Sequence, residues 1–257
     1  MIQVVYLDFD NTLYSHLSGQ IPKSTIKAIE MLHKNKIKVF LCTGRTYSEM
    51  KYFDTSKVKL DGMILGNGQV IYDDQDNIIY KKPIEGLLKT KLIEIFKEKQ
   101  VPLFLSTIDE IIINYVDEKV IEVQKEIDTV VPRSAEYYNE DFFMAAAFIK
   151  NNKQRKIIED LSDIAEITYW HEGAVDIVPK GISKAMGVRV VNEMYGFDMD
   201  KTLAIGDGDN DIEMLKDCHI GIAMGNSPDN IKEISDYVTD HIDNDGIYNA
   251  LKHYKLI

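Results

Sequence analysis

Apolar and polar positions along this chain follow two periods. In residues 1 to about 80, short β-branched runs at 3–8, 37–42 and 61–65 flank an amphipathic helix over 22–34 that puts Ile26, Ile29 and Leu32 on one face. Strands of period two alternating with a helix of period 3.6 are the grammar of a βαβ unit. The stretch DGMILGNGQVIYDDQDNIIYKK then adds two short strands joined by a turn rich in Asp and Asn, so this segment closes in a hairpin. From about 83 to 178 the texture changes, with helices near 85–99, 118–129 and 153–161 set among strands near 102–106, 111–115, 142–149, 164–170 and 174–178. Strand pairs between helices imply an open α+β sheet with one face covered. The βαβ pattern returns as a helix over 183–195, a strand 201–206, a helix 210–217, a strand 219–223 and a helix near 228–234. The pattern predicts an α/β fold, a doubly wound and mainly parallel sheet formed by 1–82 plus 180–257, with a smaller α+β domain, 83–179, inserted into it.

Composition narrows the function. With 257 residues, 45% hydrophobic and 28% charged, the chain is long enough to bury a sizeable core and too apolar to be disordered. Lys plus Arg number 30 against 42 Asp plus Glu, a net charge of -12, and no long basic run occurs, which argues against nucleic acid or an anionic membrane as partner. Cys42 and Cys218 lie in apolar segments without the spacing of a zinc site or a disulfide framework, so both are expected to be reduced, buried thiols. The absence of a secretory leader pattern and of any run of about 18 apolar residues leads to an expected cytoplasmic location.

Ligands of doubly wound sheets bind beyond the carboxyl ends of the strands, so the residues following each core strand are the ones to read. After the first strand come Asp8 and Asp10. Side chains two apart on a strand share a side, and two neighbouring carboxylates repel, so the pair suggests a metal, a shared proton, or both. Turn formation by Asp10 and Asn11, with Asp8 capping the next element, is the competing explanation. After the second strand, Thr43 offers a hydroxyl and Gly44 an open backbone N–H where a helix begins, which suits a phosphate oxygen or simply a turn. Lys184 stands at a helix start, where the helix dipole does not favour a cation, so a ligand anion competes with plain solvent exposure. GDGDND packs Asp207, Asp209 and Asp211 with Asn210 into five residues after a buried strand; oxygen ligands at this density suit magnesium, and N-capping accounts for one acid but not three. The run leads into a helix without a distal Glu, which sets a calcium loop aside. Asn67 and Gly68 either line a cleft or make a tight hairpin, and Trp170 with His171 either faces a site or packs within the inserted domain.

On these residues the chain resembles the haloacid dehalogenase superfamily of phosphatases, in the Cof-type subgroup (IIB) with a large cap of the C2 type between the second and third motifs. DFDNTL resembles the first motif, Thr43 the second, Lys184 the third and GDGDND the fourth, in the right order and across essentially the whole chain. Asn11 stands where Gly is common. The resemblance implies a Rossmann-like core with the inserted domain choosing the substrate, and a magnesium-dependent phosphatase acting on a small phosphorylated metabolite such as a sugar phosphate. Asp8 would be the nucleophile and carry an aspartyl-phosphate; Asp10 would serve as acid and base. Asp8, the backbone carbonyl of Asp10 and Asp207 would hold Mg2+, with Asp211 behind them or orienting Lys184. Thr43, Gly44, Lys184 and Asn210 would bind the phosphoryl group. A phosphomutase or phosphotransferase on a hexose phosphate shares the first half-reaction and differs only in the acceptor. A dehalogenase needs neither Asp10 nor the metal acids, and a non-catalytic phospho-ligand-binding module would not need an intact acid cluster.

Overall fold

A computed structural model describes residues 1–127 and 129–257. It divides into two compact units, Met1–Arg45, Glu49–Lys81 and Ser183–Ile257 in the first, Thr46–Ser48 and Lys82–Ile182 in the second. The first unit opens with strand β1 (Val4–Leu7), helix α1 (Lys23–Lys34), strand β2 (Lys38–Cys42), a single helical turn α2 (Tyr47–Met50), strand β3 (Gly62–Leu65) and the hairpin β4 (Val70–Asp73) and β5 (Ile78–Lys81). Helix formation after the second strand therefore starts at Tyr47, later than Thr43 and Gly44 led one to expect.

The second unit comprises α3 (Gly86–Lys97), β6 (Leu103–Ser106), β7 (Ile111–Ile113), α4 (Glu118–Glu126), β8 (Arg133–Ser134), β9 (Met144–Phe148), α5 (Asn152–Glu159), β10 (Ala165–His171) and β11 (Ala174–Pro179). The expected continuation of α4 through Asp128 lies outside the described residues. Six strands form one sheet in the order β10-β11-β9-β6-β7-β8, antiparallel except for the short β7–β8 pair. Alternate residues of β6, β9 and β11, among them Leu103, Leu105, Ala145, Ala147, Val175 and Ile177, point to the side where Leu88, Leu92, Ile95 and Phe96 of α3 and Ile158 of α5 close the core. Trp170 stays outside that core: it is half-exposed on the edge strand β10, its indole N–H donating to Asp176 at 2.8 Å, while His171 pairs with Glu126.

The chain then returns to the first unit with α6 (Lys184–Tyr195), β12 (Thr202–Gly206), α7 (Ile212–Asp217), β13 (Ile220–Ala223), α8 (Asp229–Glu233), β14 (Tyr237–Val238) and α9 (Gly246–His253). Its eight strands run β14-β13-β12-β1-β2-β3-β4-β5, parallel from β14 to β3 and antiparallel in the hairpin. Val4 and Tyr6 of β1, with Phe40 and Cys42 of β2, turn toward Ala185, Val188 and Val191 of α6, and the buried Tyr6 hydroxyl finds its acceptor in Asn192 on the same helix at 2.6 Å. On the sequence side, β14 and α9 were not expected; α9 packs on α1. Both cysteines are buried and free. Among the described residues no helix is long and apolar enough to cross a membrane.

Candidate active site

Parallel register gathers the strand ends. Leu7 of the central strand β1 pairs with Ile205 of β12 on one side and with Leu41 of β2 on the other, so the residues that follow, Asp8, Asp207 and Thr43, emerge along one edge. The Asp8 amide extends the ladder by donating to the carbonyl of Ile205 at 2.9 Å, and the chain then leaves the sheet in a turn where Asn11 has φ of 55°. Asn tolerates that left-handed conformation, which explains its presence where a Gly would also fit.

Lys184 reaches the same edge from the first turn of α6, which Ser183 caps by accepting from the Met186 amide at 3.3 Å. Gly68, at φ 101°, lets the helix come this close: a Cβ there would stand 2.6 Å from the Ser183 carbonyl oxygen and 2.9 Å from the Gly187 nitrogen. Only 1% of Lys184 is exposed, and its Nζ donates to Asp8 Oδ1 at 2.6 Å and to Asp211 Oδ1 at 2.7 Å. It is an interior ion, not a solvated surface lysine. Burial opposes its charge, but Asp211 and Asp8 override that and raise its pKa.

Asp211 spends its other oxygen, Oδ2, on the backbone amides of Asp207 and Gly208, both at 3.0 Å. Its fit depends on Gly206, where a Cβ would lie 2.5 Å from the Asp211 Cγ. Asp207 is bordered by the hydroxyl of Thr12 at 3.4 Å and the carboxamide of Asn226 at 3.3 Å. Burial first, then the charge of Asp211, pushes Asp207 up to about 6 and holds Asp8 well above the usual carboxylate range. One oxygen from each of Asp8, Asp207 and Asp211 lies within 4.8 Å of the others, with Asp8 and Asp211 buried and Asp207 half-buried. Three carboxylates face a single ammonium, an excess of two negative charges on hard oxygen donors, and a divalent cation fits that deficit.

Asp10 does not join this group. Strand β1 ends at Leu7, so the two-residue alternation that would have set Asp10 beside Asp8 stops short of both. Asp10 is instead gripped by Arg45, whose Nε and Nη2 reach Oδ2 at 2.8 Å and Oδ1 at 2.7 Å, and by Nε2 of His16 at 2.6 Å. The Arg45 guanidinium is itself seated over the ring of Phe53, 4.5 Å from its centroid. Burial lifts the Asp10 carboxyl, but Arg45 and His16 outweigh it and carry the group below its ordinary range.

Around these acids, Thr43 is buried, and its hydroxyl accepts from the Arg45 amide at 3.1 Å. Asn67, at φ 53°, lies against Gly44, 3.1 Å from where a Cβ would stand, and accepts from the exposed Asn210 at 3.4 Å. The expected residues Asp8, Lys184, Asp207 and Asp211 thus share one pocket, with Thr43, Gly44 and Asn210 on the same sheet edge. Arg45, His16, Thr12 and Asn226 carry contacts that the sequence reading did not assign. Thr12 lies within DFDNTL and Arg45 directly follows Thr43 and Gly44, whereas His16 and Asn226 had no visible signal.

Three comparisons accompany this geometry. The family model described as haloacid dehalogenase-like hydrolase matches residues 5–251. The 5-amino-6-(5-phospho-D-ribitylamino)uracil phosphatase YcsE of Bacillus subtilis is 28% identical over 99% of this chain and 96% of its own length. Among solved structures, BT1666 of Bacteroides thetaiotaomicron, a phosphatase of the same superfamily, superposes with a TM-score of 0.89 at 30% identity, covering 100% of this chain and 96% of that one. The subclass IIB sugar phosphatase BT4131 gives 0.81 at 30% identity over 99% of this chain and 100% of its own.

Proposed function

We propose, for a chain that belongs to the haloacid dehalogenase-like hydrolases and is a phosphoric monoester hydrolase, that it cleaves phosphate from a small phosphorylated metabolite by way of a phosphoryl group carried on Asp8. The observation that carries this reading is the buried contact of 2.6 Å between Lys184 and Asp8, with Asp207 and Asp211 gathered around it. A carboxylate oxygen of Asp8 attacks phosphorus and the ester P–O bond breaks; a proton from Asp10 goes to the departing oxygen. Water then attacks the acyl phosphate, Asp10 takes its proton, and Asp8 and inorganic phosphate are released. The grip of Arg45 and His16 lowers the Asp10 pKa, which favours its role as base in the second step over its role as acid in the first. Lys184, the Thr43 hydroxyl, the Gly44 amide and Asn210 hold the phosphoryl oxygens, since positioning and charge neutralisation supply most of the catalysis of phosphoryl transfer. Asp8, Asp207 and the backbone carbonyl of Asp10 would hold magnesium, with Asp211 behind them. The ion, when bound, supplies positive charge that shields an anionic nucleophile from an anionic ester.

The sugar phosphatase and the ribitylaminouracil phosphatase among the similar proteins favour esters of sugars and related polyols as the substrate class. Choice among them is assigned to the inserted unit. Two measurements test the reading. A panel of phosphorylated metabolites, assayed with magnesium, should give its highest kcat/KM on a sugar or polyol phosphate. With p-nitrophenyl phosphate, whose leaving group needs little acid assistance, Asp10→Asn should stall with one phosphoryl group on the peptide that contains Asp8, visible by mass spectrometry. An adduct elsewhere, or turnover at the wild-type rate, would overturn the roles of Asp8 and Asp10.

A further inference from the structure

Asn226 lies in the turn after β13 and belongs to none of the four strand-end motifs. Its carboxamide is used at both ends. Oδ1 accepts from the amide of Ile242 at 3.0 Å, and Nδ2 donates to the carbonyl of Asn11 at 3.0 Å and to Oδ2 of Asp207 at 3.3 Å. One side chain therefore joins the turn that follows Asp10, the acid that follows β12 and the segment that leads into α9. The turn that carries it is pinned in its own right, because Met224 N donates to the Gly206 carbonyl and Gly225 N to that of Asp240, both at 3.0 Å. A second tie runs in parallel, from the Ser15 hydroxyl to Asp243 at 2.7 Å, so the loop bearing Asp10 is anchored twice to the C-terminal segment.

The chemistry of the donor is the telling part. Asp8 and Asp211 share the charge of Lys184, whereas the two side chains that donate to Asp207 at 3.4 and 3.3 Å, Thr12 and Asn226, are neutral. A lysine at 226 would orient Asp207 and also cancel its charge; an aspartate would repel it. A carboxamide orients it and leaves the charge in place.

We propose that Asn226 is a positioning residue for the divalent cation: it fixes the Asp207 carboxylate and the backbone beside Asp10 in the arrangement that receives the ion. The inference rests on the reading that Asp207 and the Asp10 carbonyl hold magnesium. Partners that orient metal-ligating carboxylates are typically worth about 10- to 100-fold in metal affinity.

Isothermal titration of magnesium into the substrate-free protein separates the two ideas, using the wild type, Asp207→Asn, Asn226→Ala and, as a smaller perturbation, Asn226→Ser. Wild type should bind and Asp207→Asn should not. The two Asn226 variants should bind about 10- to 100-fold more weakly, and raising magnesium should restore most of their kcat with KM for the ester unchanged. Wild-type affinity in both Asn226 variants, beside lost binding in Asp207→Asn, overturns this inference and leaves the metal reading standing. No binding by wild type, or unchanged binding by Asp207→Asn, overturns the metal reading and this inference with it. Unfolding of both Asn226 variants in EDTA would make the residue structural and also overturn the proposal.

Discussion

Two carboxylates follow strand β1 two residues apart, Asp8 in a buried pocket and Asp10 at its rim, and their surroundings differ in kind. Asp8 is 4% exposed and shares one ammonium with Asp211, with Asp207 close by. Its side chain is pushed well above the usual carboxylate range by burial and by Asp211, against the pull of Lys184. The Asp10 side chain, 34% exposed, also pays for burial, yet a guanidinium fork and an imidazole hold it and its pKa falls. Depth is therefore not what separates them. The ratio of permanent cations to carboxylates is: one ammonium to three carboxylates around Lys184, one guanidinium to the single carboxylate of Asp10. A pocket short of positive charge is built to receive a cation, whereas a carboxylate with its charge matched is built to be held still.

The largest effect that could break this comparison lies at Asp8. Asp8→Asn should abolish turnover, by roughly 10^4-fold or more, as loss of a nucleophile does. The same change should raise the melting temperature of the metal-free protein, because it removes one negative charge from a crowded cluster and leaves Lys184 paired with Asp211. A gain of about 1 kcal/mol would appear as roughly 2–4 °C in a chain of this size. Calorimetry in EDTA reads it, and a lower melting temperature would mean that Lys184 already balances the pocket.

A smaller effect is expected at the rim. Arg45→Lys keeps a positive charge but gives up the planar fork on Asp10 and the seat over Phe53. We expect kcat to fall about 10-fold, a fraction of what general acid–base assistance is worth, with KM nearly constant. Stability should change by less than about 1 kcal/mol, since the pair is partly solvated. A rise in KM with kcat intact would instead make Arg45 a substrate contact.

What the sequence made legible follows from this contrast. Asp8, Thr43, Lys184 and Asp207 could be placed because each follows a strand or opens a helix, and parallel register brings strand ends together whatever the details. The βαβ alternation of the first unit and the strand pairs set among helices in the inserted unit came from periodicity alone; the order of the strands did not. The partners of Asp10 and Asp207 were not legible, because Arg45, His16 and Asn226 contact them through loops whose paths no local pattern dictates. Asp10 itself was misplaced relative to Asp8, since alternation was extended past the last residue of β1. Helix α9 did carry a signal, with Ile247, Ala250 and Leu251 on its buried face, but it follows a run of aspartates and begins at Asp245 with φ of 63°, an unusual start that hides it. The single Trp170 shows the limit of assuming that large apolar residues pack inside: it lies half-exposed on an edge strand.

The smallest expected effect sharpens the comparison with a third carboxylate, remote from the chemistry. Asp61, just before β3, is as buried as Asp8 at 5% exposed. It accepts from Lys38 Nζ at 2.7 Å, from the Val39 amide at 2.9 Å and from His33 Nε2 at 2.8 Å. Burial raises its pKa, but Lys38, the Val39 amide and His33 overcome that and the net direction is down. Equal burial with more donors thus reverses the sign found at Asp8. A carboxylate whose folded pKa lies below its unfolded value of about 3.9 contributes stability that is fully present above that value and is lost as pH falls through the folded pKa. Asp61→Asn should accordingly cost about 1–2 kcal/mol at pH 7, the worth of hydrogen bonds to a charged acceptor discounted for the half-exposed Lys38. The gap between wild type and variant in urea melts should stay level from pH 8 to about 5 and close below about 4, while kcat is unchanged throughout. A gap that widened in acid would mean that the Asp61 pKa is raised in the folded protein, as at Asp8, and that donor count does not decide the sign.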